Sequence, residues 1–193
     1  MARPVGFDRE QVLADATKVF WAHGYFDTSV SKLVDATRLQ PGSLYAAFES
    51  KEGLFLAALD HYAGQSLARL RKILGDAPDP LQGVRRFLEE MAEADPEAAV
   101  RGCFLVNTVL EVGRRNAAVQ ARLRQHLTVI EHELAEALNE ARAAGLLAPR
   151  KSPGELAKFL MATIWGVRVL GSTGAGADDA RTVLGMALSV LDA

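Results

Sequence analysis

The chain has 193 residues, 49% of them apolar and 24% charged, with a formal net charge of −2 and one cysteine. These figures exclude an internal disulfide and a chain whose bulk charge alone would draw it to a polyanion. No apolar run approaches the roughly 18 residues of a membrane span, and the opening MARPVGFDRE lacks the apolar centre of a secretory signal, so a reducing cytoplasm is the expected setting.

From Phe7 to Gly24, Val12, Leu13, Ala16, Val19 and Phe20 recur at helical spacing, with Asp8 as N-cap and Gly24 as stop. Thr28 and Ser29 can cap a short helix bearing Val30, Leu33 and Val34. Pro41 and Gly42 then open a second short helix, and Ser50 caps a long one that carries Leu54, Phe55, Leu59, Tyr62 and Leu70 to about Gly75. Asp79, Pro80 and Gln82 form a capping-box pattern for a helix through Phe87, Leu88 and Met91 to about Asp95 and Pro96. The stretch RGCFLVNTVLEVG is apolar on most sides and reads as buried. Asn116 can cap a helix over 117–144, Ser152 with Glu155 starts one that runs to about Leu170, and Ala180 to Leu191 forms the last. The expectation is an all-α chain of about nine helices with no sheet.

The first fifty residues hold three helices, the last two short and joined by a tight turn. Leu33, Val34, Ala36, Leu39 and Leu44 can face inward, with Ala36 small where the two helices pack closest. That is the logic of a helix-turn-helix, in which one helix crosses the DNA backbone while the other enters the major groove. Thr28-Ser29-Val30, Leu33-Val34-Asp35-Ala36, Gly42-Ser43-Leu44-Tyr45 and then Phe48, Ser50-Lys51-Glu52 and Leu54 resemble the N-terminal domain of the TetR-type (TetR/AcrR) transcriptional repressors. The motif covers about fifty residues; the remainder matches in helix number, length and order.

The resemblance implies a helix-turn-helix domain over 1–50, linked through the helix from 51 to an effector-binding and dimerisation domain over 51–193. It implies that Gln40, Pro41, Gly42, Ser43 and Ala46 face DNA and that Tyr45 sets its hydroxyl on a phosphate. Lys51 would reach a phosphate at the start of the fourth helix, and Thr28 and Ser29 would do so at the second, where unpaired N–H groups attract anions. Leu44 and Phe48 read as core. Arg38 occupies the turn position where the family usually has glycine. A left-handed backbone there costs about 1 kcal/mol, which a phosphate contact by Arg38 would offset. Ala46 and Ala47 stand where many relatives carry larger side chains, so hydrogen-bonded base reading falls to Gln40 and Ser43.

Charge runs against the reading. Over residues 1–60 the bases Arg3, Arg9, Lys18, Lys32, Arg38 and Lys51 are outnumbered by Asp8, Glu10, Asp15, Asp27, Asp35, Glu49, Glu52 and Asp60, whereas a nucleic-acid domain is expected to be basic. Placement resolves this if Arg3, Lys32, Arg38 and Lys51 gather near the DNA face.

For the larger domain the resemblance implies a small effector held between middle helices, whose candidate lining suits a mostly apolar ligand, and a homodimer through the last two helices, about 153–170 and 180–191. Effector candidates by inward helical position are Tyr62, Phe87, Met91, Cys103, Phe104, Asn107, Ile130, Leu134 and Trp165. Dimer candidates are Leu156, Phe159, Leu160, Thr163, Ile164, Val167 and Leu170, with Val183, Leu184, Ala187, Leu188 and Leu191. Cys103 reads as a small buried residue or a redox or electrophile sensor, Asn107 as a satisfied core amide or a ligand contact. His126 and His132 lie six apart and share no helix face, and GSTGAGADD follows no strand, so neither reads as a metal or phosphate site. No cofactor, metal or catalytic set is called for. The expected function is an operator-binding repressor released by an effector; the alternative is an all-helical scaffold or enzyme that does not bind DNA.

Overall fold

The computed structural model describes residues 6–92, 96–148, 150, 152–174 and 177–192, with residues 96–98 described by their backbone alone. Arg3 and Asp95, and Ala175 and Gly176 of the glycine-rich stretch, lie outside the described residues. Among those described there are ten helices and no strand: α1 (Arg9–His23), α2 (Val30–Thr37), α3 (Pro41–Phe48), α4 (Lys51–Gly75), α5 (Pro80–Ala92), α6 (Pro96–Arg101), α7 (Phe104–Glu111), α8 (Ala117–Ala143), α9 (Pro153–Ser172) and α10 (Ala177–Asp192). The one beyond expectation is α6, a six-residue helix too short to carry an apolar period. Gly102 follows at φ 70°, so the expected single segment from Arg101 begins as α7 only at Phe104.

The expected caps form, except at Thr28, where Ser29 alone caps α2. Asp8 accepts from the Glu10 and Gln11 amides, Ser29 from Lys32, Ser50 from Gly53, Asp79 from Gln82, Asn116 from Val119 and Ser152 from Glu155. Each gives an acceptor to a helix-start N–H that has no partner within its own helix.

The chain divides into two compact units. The first takes the described residues to Gln65 together with Asn107–Arg124; the second comprises Ser66–Val106 and Gln125 onward. The first is thus larger than the expected head of 1–50, because it runs on into α4 and takes in the corner between α7 and α8. Its core sets Phe20, Leu33, Leu44, Leu54, Phe55 and Leu59 at 2% exposure or less. Phe20 and Phe55 meet edge to face with centroids 4.9 Å apart. The α7–α8 corner is fastened by polar bonds: Asn116 Nδ2 donates to Glu52 Oε2 at 2.8 Å, and Arg122 Nη1 to Asp60 Oδ2 at 2.6 Å.

The second unit buries one apolar cluster drawn from α4 (Leu70, Ile73), α5 (Val84, Phe87, Leu88), α8 (Leu134, Leu138), α9 (Leu156, Leu160, Ile164) and α10 (Leu184, Leu191). Each fully buried leucine of this kind contributes about 1.5–3 kcal/mol against exposure. Arg71 on α4 adds an ion pair to Glu133 on α8 at 2.5 Å, and Arg85 on α5 one to Asp192 on α10. Both pairs are largely exposed and add little stability.

Candidate nucleic-acid interface

The helix-turn-helix begins at the α1–α2 turn. Gly24 closes α1 at φ 76°, its N–H bonded to Phe20 O. Thr28 is fully buried and its hydroxyl donates to Gly24 O at 2.5 Å. This corrects the expectation for Thr28: its side chain braces the turn from inside and does not face a phosphate. Ser29, one residue on, is exposed and caps α2, leaving its hydroxyl at the protein surface.

Between α2 and α3 the chain turns at Arg38, whose φ 58°, ψ 18° is the left-handed conformation the missing glycine would have favoured. Its N–H bonds Val34 O at 2.8 Å, and its side chain is exposed. Thr37 helps to hold the turn, donating to Leu33 O at 2.7 Å and accepting from the Leu39 amide at 3.4 Å. Leu33, Leu39, Leu44 and Phe48 all point inward.

That inward set leaves the other side of α3 outward. Gln40, Pro41, Gly42, Tyr45 and Ala46 are exposed and Ser43 is half-buried. Gln40 is the N-cap by backbone geometry, yet its side chain makes no capping bond. The start of α3 therefore presents the Gly42 and Ser43 N–H groups without a side-chain acceptor from the cap. Tyr45 is 39% exposed. The face is small and nearly uncharged, which suits close approach to a groove floor and limits base reading to few groups.

Beyond α3 the backbone folds back sharply. Glu49 adopts φ 66°, and Ser50 N bonds Phe48 O at 2.7 Å. A Cβ on Gly53 would lie 2.0 Å from Phe48 O, so only glycine fits there. This tight junction sets Lys51 at the start of α4. The Lys51 ammonium sits 4.6 Å from the Tyr25 ring centroid. Burial pushes its pKa below the ordinary value, while Glu111 and then Asp27 oppose the shift. Lys51 thus lies at the expected helix start, engaged with the α1–α2 turn. Lys32 donates to Asp27 O at 3.2 Å and is otherwise exposed.

Two residues enter the site that the sequence did not single out. Arg9 lies 4.5 Å over the Phe48 ring and donates to Ala47 O at 3.5 Å, tying the first turn of α1 to the end of α3. Glu111 accepts from the amides of Tyr25 and Phe26, more than eighty residues away in sequence. No local pattern marks either, because both act through contacts made only on folding.

Two family models match the chain: "Bacterial regulatory proteins, tetR family" over residues 12–58, and "Tetracyclin repressor-like, C-terminal domain" over 80–176. The chain belongs to the TetR family. It is a transcriptional regulator of that family, all-α, with a helix-turn-helix DNA-binding head. Over 200 residues it is 32% identical to the HTH-type transcriptional repressor ComR of Escherichia coli K12, covering 96% of this chain and 90% of that one. The repressor BdcR of the same strain is 40% identical over 108 residues, 55% of each chain. A cysteine mutant of the TetR family regulator CifR, solved in complex with 26-base-pair operator DNA, superposes with TM-score 0.86 at 33% identity, covering 98% of this chain and 100% of that one.

The TetR effector candidates fall in both units. Tyr62 and Asn107 count with the first, where Tyr62 packs edge-on to Trp21 at 5.1 Å. In the second, Phe87 and Leu134 are interior to the apolar cluster, and Met91, Ile130 and Trp165 pack at its edge. Phe104 is 2% exposed and Cys103 half-buried. An open groove of about 340 Å³ lies elsewhere, lined by Arg69, Lys72 and Ile73 of α4, Asp76 just beyond it, and Arg86 and Glu90 of α5. Two ion pairs lie in its wall, Arg69 with Glu90 at 2.6 Å and Lys72 with Asp76, so it suits an apolar guest poorly. Among the described residues no three His, Cys, Asp or Glu side chains group to hold a metal ion, and no helix is long and apolar enough to cross a membrane.

The expected dimer helices need correction in detail. Leu156, Leu160, Ile164, Val167, Leu184, Ala187 and Leu191 are buried within the chain's own core. What α9 and α10 leave outward is Phe159, Val169, Val183, Met186 and Val190, of which Met186 is 71% exposed.

Proposed function

We propose that this TetR-family chain is a repressor that binds a palindromic operator as a homodimer and is released by a small, mostly apolar effector. The observation that carries the DNA half is the outward face of α3. Gln40, Gly42, Ser43, Tyr45 and Ala46 stand on one side of a helix whose other side is locked into the core by Leu44 and Phe48. Ser29, Arg38 and Lys51 flank that face as phosphate ligands, and these contacts position the head while few groups read bases. The 33% identity to a regulator solved on its operator supports the same mode for this chain.

The exposed apolar side chains of α9 and α10 support a two-fold helix bundle, whose axis sets two heads on successive major grooves. Effector binding is assigned to the second unit, which holds Cys103 and Phe104 and where the apolar side chains of Met91, Ile130 and Trp165 at the cluster's edge can part for an apolar guest. Release requires that the effector bind the DNA-incompetent state more tightly. A cytoplasmic location follows from this role.

Fluorescence anisotropy with the duplex upstream of the chain's own coding sequence tests the reading. Saturable binding, competed poorly by unrelated duplex and reversed by hits from a thermal-shift screen of small molecules, is the expected result. Binding no tighter than to unrelated duplex would remove the operator reading and favour a scaffold.

A further inference from the structure

The α1–α2 turn of the head is held by a carboxylate distant in sequence. Glu111, the last residue of α7, accepts from the Tyr25 amide through Oε2 at 3.1 Å and from the Phe26 amide through Oε1 at 3.0 Å. Both oxygens are used, each on a backbone N–H. The carboxylate lies close against the turn, and a Cβ on Gly24, which would come within 2.7 Å of Oε2, would push it aside. Gly24 is at φ 76°, so glycine serves the turn and the carboxylate together. Lys51, over the Tyr25 ring, feels the same carboxylate.

Packing alone does not call for a carboxylate at this position. A half-buried charge is costly unless it is hydrogen-bonded, and charge-assisted bonds to backbone amides fix geometry more firmly than neutral ones. The amides engaged lie three and four residues before Ser29, the cap of α2. Whatever fixes them fixes where α2 begins.

We propose that Glu111 is a positioning residue for DNA recognition: by taking both amides of the α1–α2 turn, it sets the start of α2 and hence the seating of the α2–α3 pair that carries the DNA face. This rests on the operator-binding reading above. α7 starts at Phe104, which counts with the second unit, so the helix that bears Glu111 is a direct chain link from one unit to the other.

Glu111→Gln keeps the size of the side chain but turns one acceptor into a donor that faces an N–H. With operator duplex and an unrelated duplex of equal length, the variant is expected to lose about tenfold in operator affinity, about 1.4 kcal/mol, and less than twofold on the unrelated duplex. A merely structural role would weaken both alike. Hydrogen exchange at residues 24–31 should quicken, with the amides of α10 unchanged. Operator affinity within twofold of wild type, or an equal loss on both duplexes, would overturn the role of Glu111. Wild-type protein that binds no duplex specifically would instead overturn the reading beneath it. Should the variant fold poorly, wild-type exchange decides: the Tyr25 and Phe26 amides stay protected in the operator complex if the tether serves the DNA-competent state, and lose protection there if it does not.

Discussion

Tyr45 and Lys51 show how differently two expected phosphate ligands are prepared. Tyr45 is 39% exposed on α3, beside a helix start without a side-chain cap. Removing its hydroxyl leaves the ring in place, so Tyr45→Phe should weaken operator binding by about fivefold, about 1 kcal/mol, with the thermal midpoint unchanged. Anisotropy beside calorimetry would check both. Lys51 is held back by burial and by the Tyr25 ring. A lysine whose folded pKa lies below its unfolded value costs stability while charged, and the cost lifts as pH rises through the folded value towards 10.5. Lys51→Met should therefore hold or raise the midpoint at pH 7, lose that advantage as pH climbs towards 10.5, and bind operator less tightly. A variant destabilised at pH 7 would show that the ammonium stabilises the head.

At the scale of elements, the two short helices are framed by strained corners. Arg38 at φ 58° and Glu49 at φ 66° stand where glycine or asparagine would be more comfortable. Arg38→Gly should raise stability by about 0.5–1 kcal/mol in urea unfolding, the relief of strain being partly offset by glycine's freedom in the unfolded chain. The same change should weaken operator binding if Arg38 meets a phosphate. Gly53 is the opposite case. With Phe48 O 2.0 Å from an added Cβ, Gly53→Ala must open the α3–α4 junction and should cost about 3 kcal/mol or more. A smaller loss would mean that the junction relaxes easily. Both short helices depend on such corners, since eight residues form no stable helix in water unaided.

For the whole molecule, association and salt are the measurable consequences. Met186→Glu places a charge at the most exposed apolar position of α10 and should shift the chain towards monomer by tenfold or more, about 1.4 kcal/mol, in sedimentation. Operator affinity should fall with it. If the proposed dimer sets Lys32, Arg38 and Lys51 of each protomer on phosphates, the slope of log affinity against log salt should be about −5, shrinking by roughly 2 in Arg38→Gly. A slope near zero would dismiss all three as phosphate ligands.

The helices and their caps were legible in the sequence because both are local. A period of 3.6 and a Ser, Asp or Asn three residues before the bonded amide are fixed by neighbours along the chain. The helix-turn-helix was legible for the same reason, its punctuation and inward leucines falling within some twenty-five residues. Which side of a helix faces out was less so. Thr28 looks like a surface cap and is buried, whereas Met186 was unmarked and is exposed, since each depends on what the rest of the chain lays against it. Arg9 and Glu111 had no signal at all: their partners lie 38 to 86 residues away, and a lone charge in a helix looks the same whether solvated or bonded. The sequence by itself determined the elements and the helix-turn-helix they form, because short-range sterics and hydrogen bonding specify both. Only the tertiary structure decided which polar groups hold that helix in place, because those bonds form when distant segments fold together and exclude water.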